Sequence, residues 1–268
     1  MADFKSILQS IFKNEETDSG KIGLALGSGA ALGSAHIGVL KALEERNIKP
    51  GYIAGTSIGS MVASLYAFGM SVDAIEEVAI SLDWLDISGI SLSKMGLLTN
   101  DELGEMLDER LGGVTFDQAE IKLAVVATDI STGEKVIIKE GNVSDAVKAS
   151  TCIPVIFEPV EIDGRLLVDG GLLESVPISA LKELGAEHRI AVDVKAYRKY
   201  RRPEDIIDVL NNSLDIALIH LARVRVEDAD ILIQPNLEEY SRVDTNHTSE
   251  MIEIGYEAAK NALKDFSS

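Results

Sequence analysis

The sequence predicts an α/β fold in which a mainly parallel sheet is packed against helices. The first observation is alternation. The apolar runs "KIGLALG" and "GYIAGTS" read as strands, and each is followed by a helical pattern, "AHIGVLKALEERN" and "IGSMVASLYAFGM". Two strand–helix units in under 60 residues require crossovers between parallel neighbours. The second is continuity: six prolines are scattered, and no Pro/Gly/Ser-rich stretch or fixed-period repeat marks a linker. The third is size, since 268 residues at 46% hydrophobic bury a sizeable single core.

Taken in order, Phe4, Ile7, Leu8, Ile11 and Phe12 share one face of a short amphipathic helix, and polar "NEETDSG" follows. Residues 1–20 are therefore expected as a helical extension before a domain spanning 21–268. After the two strand–helix units, residues 71–113 read as a helix-rich insertion. Thr99 and Glu102 have capping-box spacing before "DELGEMLDERL", and Gly112 and Gly113 end that helix. Just upstream, Trp84, Leu85, Ile87, Ile90, Leu92, Met95, Leu97 and Leu98 form an apolar stretch, read as ordinary core or as the wall of an apolar substrate cleft. Further strands are expected at "KLAVVATD", "KVIIKE", "VIFEPVEI", "RLLVDGG", "RIAVDV" and "DILIQP", with a turn at Asp163 and Gly164. Helices over 203–227 and 249–266 close the chain.

Charge and composition narrow the function. A net charge of −19 argues against nucleic-acid binding, which needs a surplus of Lys and Arg. The single cysteine, Cys152, allows no intramolecular disulfide and fits a reducing compartment. The N-terminus lacks an uninterrupted apolar signal region and no later run is long enough to span a bilayer, so a cytoplasmic location is expected. Two segments suit peripheral contact with the inner membrane face, each with a plainer reading beside it: the helix over 4–12, which also reads as docked on its own domain, and "KAYRKYRRP", which carries Lys195, Arg198, Lys199, Arg201 and Arg202 and also reads as a solvated loop.

Two glycine loops carry the chemistry. In "GSGAALG" the glycines are Gly27, Gly29 and Gly33, spaced G-x-G-x-x-x-G, so the dinucleotide fingerprint fails at Leu32. No acid stands at the end of the second strand to hold a ribose either. In "GTSIG", Ser57 lies between Gly55 and Gly59 at a strand-to-helix junction, the context of a nucleophile elbow. The following helix points its positive end at the serine, and backbone N–H groups of the first loop, one strand over, can receive an oxyanion. The base is open on the residues alone. His36 precedes the serine in a helix, His220 sits on an apolar helix, and His188 and His247 hold loop positions without a local signature. Asp169, ending the strand "RLLVD" ahead of Gly170 and Gly171, is the stronger candidate for a carboxylate base, although "DGG" also reads as a plain turn.

The runs "IGLALGSGAALGSAHIGVLKALEE", "GTSIGSMVASLYA", "VVATDISTGE" and "AVKASTCIPVIFEPVEIDGRLLVDGGLLESVPI", in that order over about residues 21–195, resemble the bacterial branch of the patatin-like phospholipase family. The resemblance implies a three-layer α/β/α fold and a Ser57–Asp169 dyad, which decides the base in favour of the carboxylate. It also implies an oxyanion loop of Gly27, Ser28, Gly29, Ala30 and Gly33, and hydrolysis of lipid acyl esters without a metal or other cofactor. The chain departs from the family at Leu32, where a basic residue is usual, and at Ser28 and Ala30, which replace common glycines. Those departures leave a second expectation beside the enzyme: a weakened member that binds lipid or regulates.

Overall fold

The structure, a computed structural model, describes residues 21–81, 89, 90, 95–197 and 226–264, together with residues 199, 202, 203, 206, 209, 212, 213 and 216. The expected helix within 1–20, residues Trp84, Leu85, Ile87 and Leu92, Arg198, Arg201, most of the helix expected over 203–227, and His220 lie outside them.

The two leading units form as the pattern predicts: β1 (Ile22–Leu26), α1 (Ala35–Glu45), β2 (Tyr52–Thr56) and α2 (Ile58–Ala67). The insertion holds α3 (Val72–Ser81), a two-stranded ribbon of β3 (Gly89–Ile90) and β4 (Leu98–Thr99), and α4 (Asp101–Leu111). Then come β5 (Lys122–Asp129), β6 (Glu134–Ile138), α5 (Val143–Thr151), β7 (Val160–Ile162), β8 (Arg165–Asp169), α6 (Ile178–Leu184), β9 (His188–Val192), β10 (Ile231–Ile233) and α7 (Thr248–Ala262).

The main sheet runs β10-β9-β1-β2-β5-β8-β7, with β6 also paired to β5. From β10 to β5 every pairing is parallel, whereas β6, β7 and β8 join antiparallel. Register matters most at β5. Strand β2 ends with Thr56 opposite Val126, and β8 ends with Asp169 opposite Ala127, the next residue along. The residue after Thr56 and the last residue of β8 are thereby delivered to the same place on the sheet.

Side chains alternate between two cores. Leu24, Leu26, Ile53, Leu123, Val125, Ile190 and Val192 face α1, α2 and α7, and each such side chain contributes about 1.5–3 kcal/mol by leaving water. The opposite face offers Ala25, Ala54, Ala124 and Ala191, one small residue from each of four strands, against Ile178, Ala180 and Leu181 of α6. Small residues let α6 lie close on the sheet. Helices thus cover both faces, giving the three-layer α/β/α arrangement.

Two local expectations need correction. Thr99 does not cap α4, because it is paired with Gly89 in the ribbon; the cap position is Asn100, whose amide instead donates to Lys148 O (2.8 Å) and Thr151 Oγ1 (3.2 Å), pinning α4 to α5. The strand expected over "VIFEPVEI" begins only at Val160. Ile156 O is already taken by Leu97 and Leu98 N–H, Glu158 N–H by Leu98 O, and Pro159 has no N–H to offer a ladder.

Helices α1 and α7 touch backbone to backbone. A Cβ on Gly38 would lie 1.8 Å from Ile252 O, and one on Gly255 would lie 2.0 Å from Ala35 O. Gly255→Ala must therefore push the helices apart. Urea unfolding is expected to show a loss of about 3 kcal/mol or more with little change in m-value.

Candidate active site

Ser57 occupies the sharp junction between β2 and α2 with φ 55° and ψ −128°, a left-handed backbone that costs a non-glycine residue of order 1–3 kcal/mol. The flanking glycines make the bend possible by close approach. A Cβ on Gly55 would fall 2.3 Å from Ser60 Cα, and one on Gly59 would fall 2.2 Å from Leu26 O. The bend is also held by hydrogen bonds. Ser57 N–H donates to Ser150 Oγ (2.8 Å), whose own proton goes to Val126 O (2.6 Å); Ser60 Oγ donates to Ser57 O (2.6 Å). Ser150, at the end of α5, thereby staples the elbow to β5.

Asp169 lies buried beside Ser57, near enough for the serine hydroxyl to favour its ionised form. Its Oδ1 also accepts Gly171 N–H at 2.7 Å, and its own N–H donates to Cys152 O at 2.8 Å. Gly170 lies so near β5 that a Cβ there would stand 2.1 Å from Val126 O. Both Ser57 and Asp169 are buried, at 7% and 8% exposed. Burial pushes the Asp169 carboxyl above the ordinary carboxylate range. The hydrogen bonds from Ser57 and Gly171, then the charges of Lys195 and Arg242, oppose that rise.

The glycine loop follows β1 and lies beside Ser57. Its N–H groups are not equivalent. Gly27 N–H is bound to Val192 O (3.1 Å), Ser28 N–H to Ser175 O (2.8 Å), Ala31 N–H to Arg242 O (3.0 Å) and Leu32 N–H to Gly29 O (3.2 Å). Gly29 and Ala30 have no acceptor for their N–H groups among the described residues, and Ala30 sits at φ 50°. Those two are the donors best placed to receive an anion. Gly33 serves packing, since a Cβ there would be 2.5 Å from Ile58 Cγ2. Leu32 is 4% exposed and its side chain belongs to the main core.

Histidine takes a different part. His36 is fully buried, its Nε2 donating to Gly27 O at 2.8 Å, and burial holds its pKa down at about 4. A neutral ring thus fixes the loop from below. His188 lies level with Ile22 at the far end of the strands, and His247 pairs with Glu250 on the surface. Cys152 is inert as a nucleophile, its thiol pushed up to about 12 by burial.

Alongside the loop opens a small apolar pocket, lined by Ala30, Ile58, Met61, Val62, Leu65 and Ile75 among others. Ala30 and Ile58 connect it to the loop and to the residue after Ser57. Ser150, Ser175, Lys195 and Arg242 reach the site from distant segments and carry no local motif, so sequence reading passed over them as site residues. Among the described residues, no group of His, Cys, Asp and Glu is arranged to hold a metal ion.

The profile of the family described as Patatin-like phospholipase matches residues 24–182. An uncharacterized NTE family protein of Mycobacterium tuberculosis is 37% identical over 181 residues, 66% of this chain and 50% of its own length. The Lysophospholipase NTE1 of Lodderomyces elongisporus is 28% identical over 267 residues, 87% of this chain and 18% of its own. Among solved structures, VipD from Legionella pneumophila superposes with a TM-score of 0.62 at 16% identity, over 91% of this chain and 66% of that one, a likeness of fold. The chain spans about half the length of the mycobacterial relatives it matches.

The raised Asp169 carboxyl has a stability consequence. Above the unfolded value of 3.8 the unfolded chain releases this proton first, so folding stability falls as pH rises toward the higher folded value. Asp169→Asn removes the effect. Its melting temperature should exceed that of the wild type at pH 7, with the gap closing as pH is lowered toward 4; an Asn variant that is less stable throughout contradicts this.

Proposed function

We propose that this chain, which belongs to the patatin-like phospholipase family, is a serine acyl hydrolase that cleaves lipid acyl esters, of the phospholipase A or lysophospholipase type. The observation that carries the reading is the register on β5 that brings Ser57, at a strained helix start, together with Asp169 in a buried site, beside the N–H groups of Gly29 and Ala30. The family and the name of the fungal relative support the substrate class.

The chemistry follows from the geometry. Ser57 Oγ attacks the ester carbonyl carbon while Asp169 takes the hydroxyl proton, and the carbonyl oxygen becomes an oxyanion held by Gly29 and Ala30 N–H. Collapse expels the alcohol, which leaves with the proton from Asp169, and the acyl group remains on Ser57. Water then attacks the acyl-enzyme, Asp169 takes its proton, and the fatty acid departs as that proton returns to Ser57 Oγ. Dipoles of the α2 N-terminus favour the negative charge throughout.

The apolar pocket beside the loop receives the acyl chain. Contact with a lipid surface falls to an exposed apolar rim, because Met95, Leu97 and Val155 are 56%, 59% and 55% exposed, and Leu97 N–H donates to Val155 O at 3.3 Å. Val155 lies on the loop whose Cys152 carbonyl accepts Asp169 N–H. Beyond Lys195, the exposed Lys199 and Arg202 of the basic stretch are a second point of contact, for lipid head groups. Since no helix among the described residues is long and apolar enough to cross a membrane, the contact proposed is peripheral.

Hydrolysis of p-nitrophenyl esters and of lysophosphatidylcholine tests the reading. Ser57→Ala should lower kcat on the order of 10³-fold or more without unfolding the protein, and unchanged turnover sinks the assignment. Lengthening the acyl chain should raise kcat/KM by about fourfold per CH₂ until the pocket fills, as about 0.8 kcal/mol per buried methylene requires. Val62→Phe should move that plateau to shorter chains.

A further inference from the structure

We propose that Lys195 is a positioning residue of this site, supplying from outside the glycine loop the positive charge that the loop lacks, by gripping Ser28 and facing Asp169. The inference rests on the reading of Ser57 and Asp169 as nucleophile and base.

From Gly27 to Ser34 the loop contains no charged residue, and the Leu32 side chain is turned into the core. Strand pairing brings a cation to it. Leu26 is in register with Val192, and Gly27 N–H continues the ladder onto Val192 O, so the residues after β9 run beside the residues after β1. The approach is tight, since a Cβ on Gly29 would lie 2.4 Å from Val194 Cγ2. Lys195 Nζ then donates to Ser28 Oγ at 2.7 Å. An ammonium can only donate, so Ser28 Oγ accepts from lysine, and it shares a further hydrogen bond with Ser175 Oγ, 2.9 Å away. Ser28 N–H is bound to Ser175 O as well. One chain of hydrogen bonds thus ties together the segments that follow β9, β1 and β8.

The same lysine acts on the carboxylate. Ser28 Oγ would stand 3.1 Å from a Cβ on Gly171, whose N–H holds Asp169 Oδ1. Two cations, Lys195 and Arg242, oppose the effect of burial on Asp169. Among the described residues, the other titratable groups nearby are Asp193, whose Oδ1 accepts Lys195 N–H at 3.0 Å, the Cys152 thiol with Glu158 beyond it, and the neutral ring of His36 below the loop. A base must be ionised to accept the serine proton. Without Lys195 the buried carboxyl keeps its proton to higher pH, and the acid limb of the rate profile moves with it.

The test is kcat and KM for p-nitrophenyl butyrate from pH 4 to 9 in wild type, Lys195→Met, Lys195→Gln, Lys195→Arg and Ser28→Ala. The expected result is an acid limb displaced upward by about one pH unit in the Met and Gln variants, hence about tenfold lower kcat/KM on that limb, with KM little changed. Lys195→Arg should restore the limb. Ser28→Ala, which keeps the charge, should lower kcat without moving it. Should Lys195→Met fail to fold, Lys195→Gln decides, because it keeps a donor for Ser28 without the charge. An acid limb unmoved in the folded neutral variants, or moved equally by Lys195→Arg, overturns the inference while leaving the hydrolase reading standing. A folded wild type with no turnover removes that reading, and the inference with it.

Discussion

The strained backbone of Ser57 is the constraint on which the rest of the site depends. A residue at φ 55° and ψ −128° stays there only if its surroundings leave no relaxed alternative. Here they do so twice over. Gly55 and Gly59 allow the first turn of α2 to close on β2 and on the end of β1 at distances that any Cβ would forbid, and Ser150 and Ser60 take up the peptide groups on either side of the serine. Beside that bend, β8 ends with Asp169 opposite Ala127 of β5.

Electrostatics at the site come from burial set against a few placed charges. The carboxylate is buried within a protein of net charge −19, where its ionised form would be costly without help. The help is local: a serine hydroxyl, a glycine N–H, and two cations from separate segments. His36 illustrates the complementary choice. Its ring is kept neutral by burial and is spent on the Gly27 carbonyl, so the imidazole serves the shape of the loop rather than proton transfer.

Legibility in the sequence followed the range of the interactions. Strand β5 was readable to the residue, because "KLAVVATD" is bounded by charge at both ends and buried on both faces. Ser57 and Asp169 stood out as candidates by the glycines beside them, and the choice of the carboxylate over histidine as base came from the family resemblance. Thr99 was misread as a cap because pairing with Gly89, which no local pattern announces, had claimed it for the ribbon. Ser150 lies 93 residues from Ser57, and Lys195 lies 167 residues from Ser28. Such contacts are set by strand register, and a serine or lysine involved in them looks like any other in the chain. The basic stretch beginning at Lys195 was visible as charge, and only the pairing of β9 with β1 shows that its first residue turns inward.

The measurement that tests the central claim most directly is covalent labelling with a fluorophosphonate, followed by peptide mass mapping. An activated Ser57 predicts one adduct, on the peptide containing "GTSIG", formed slowly or not at all in Asp169→Asn. A correctly folded protein that takes no label, or takes it at another serine, contradicts the account.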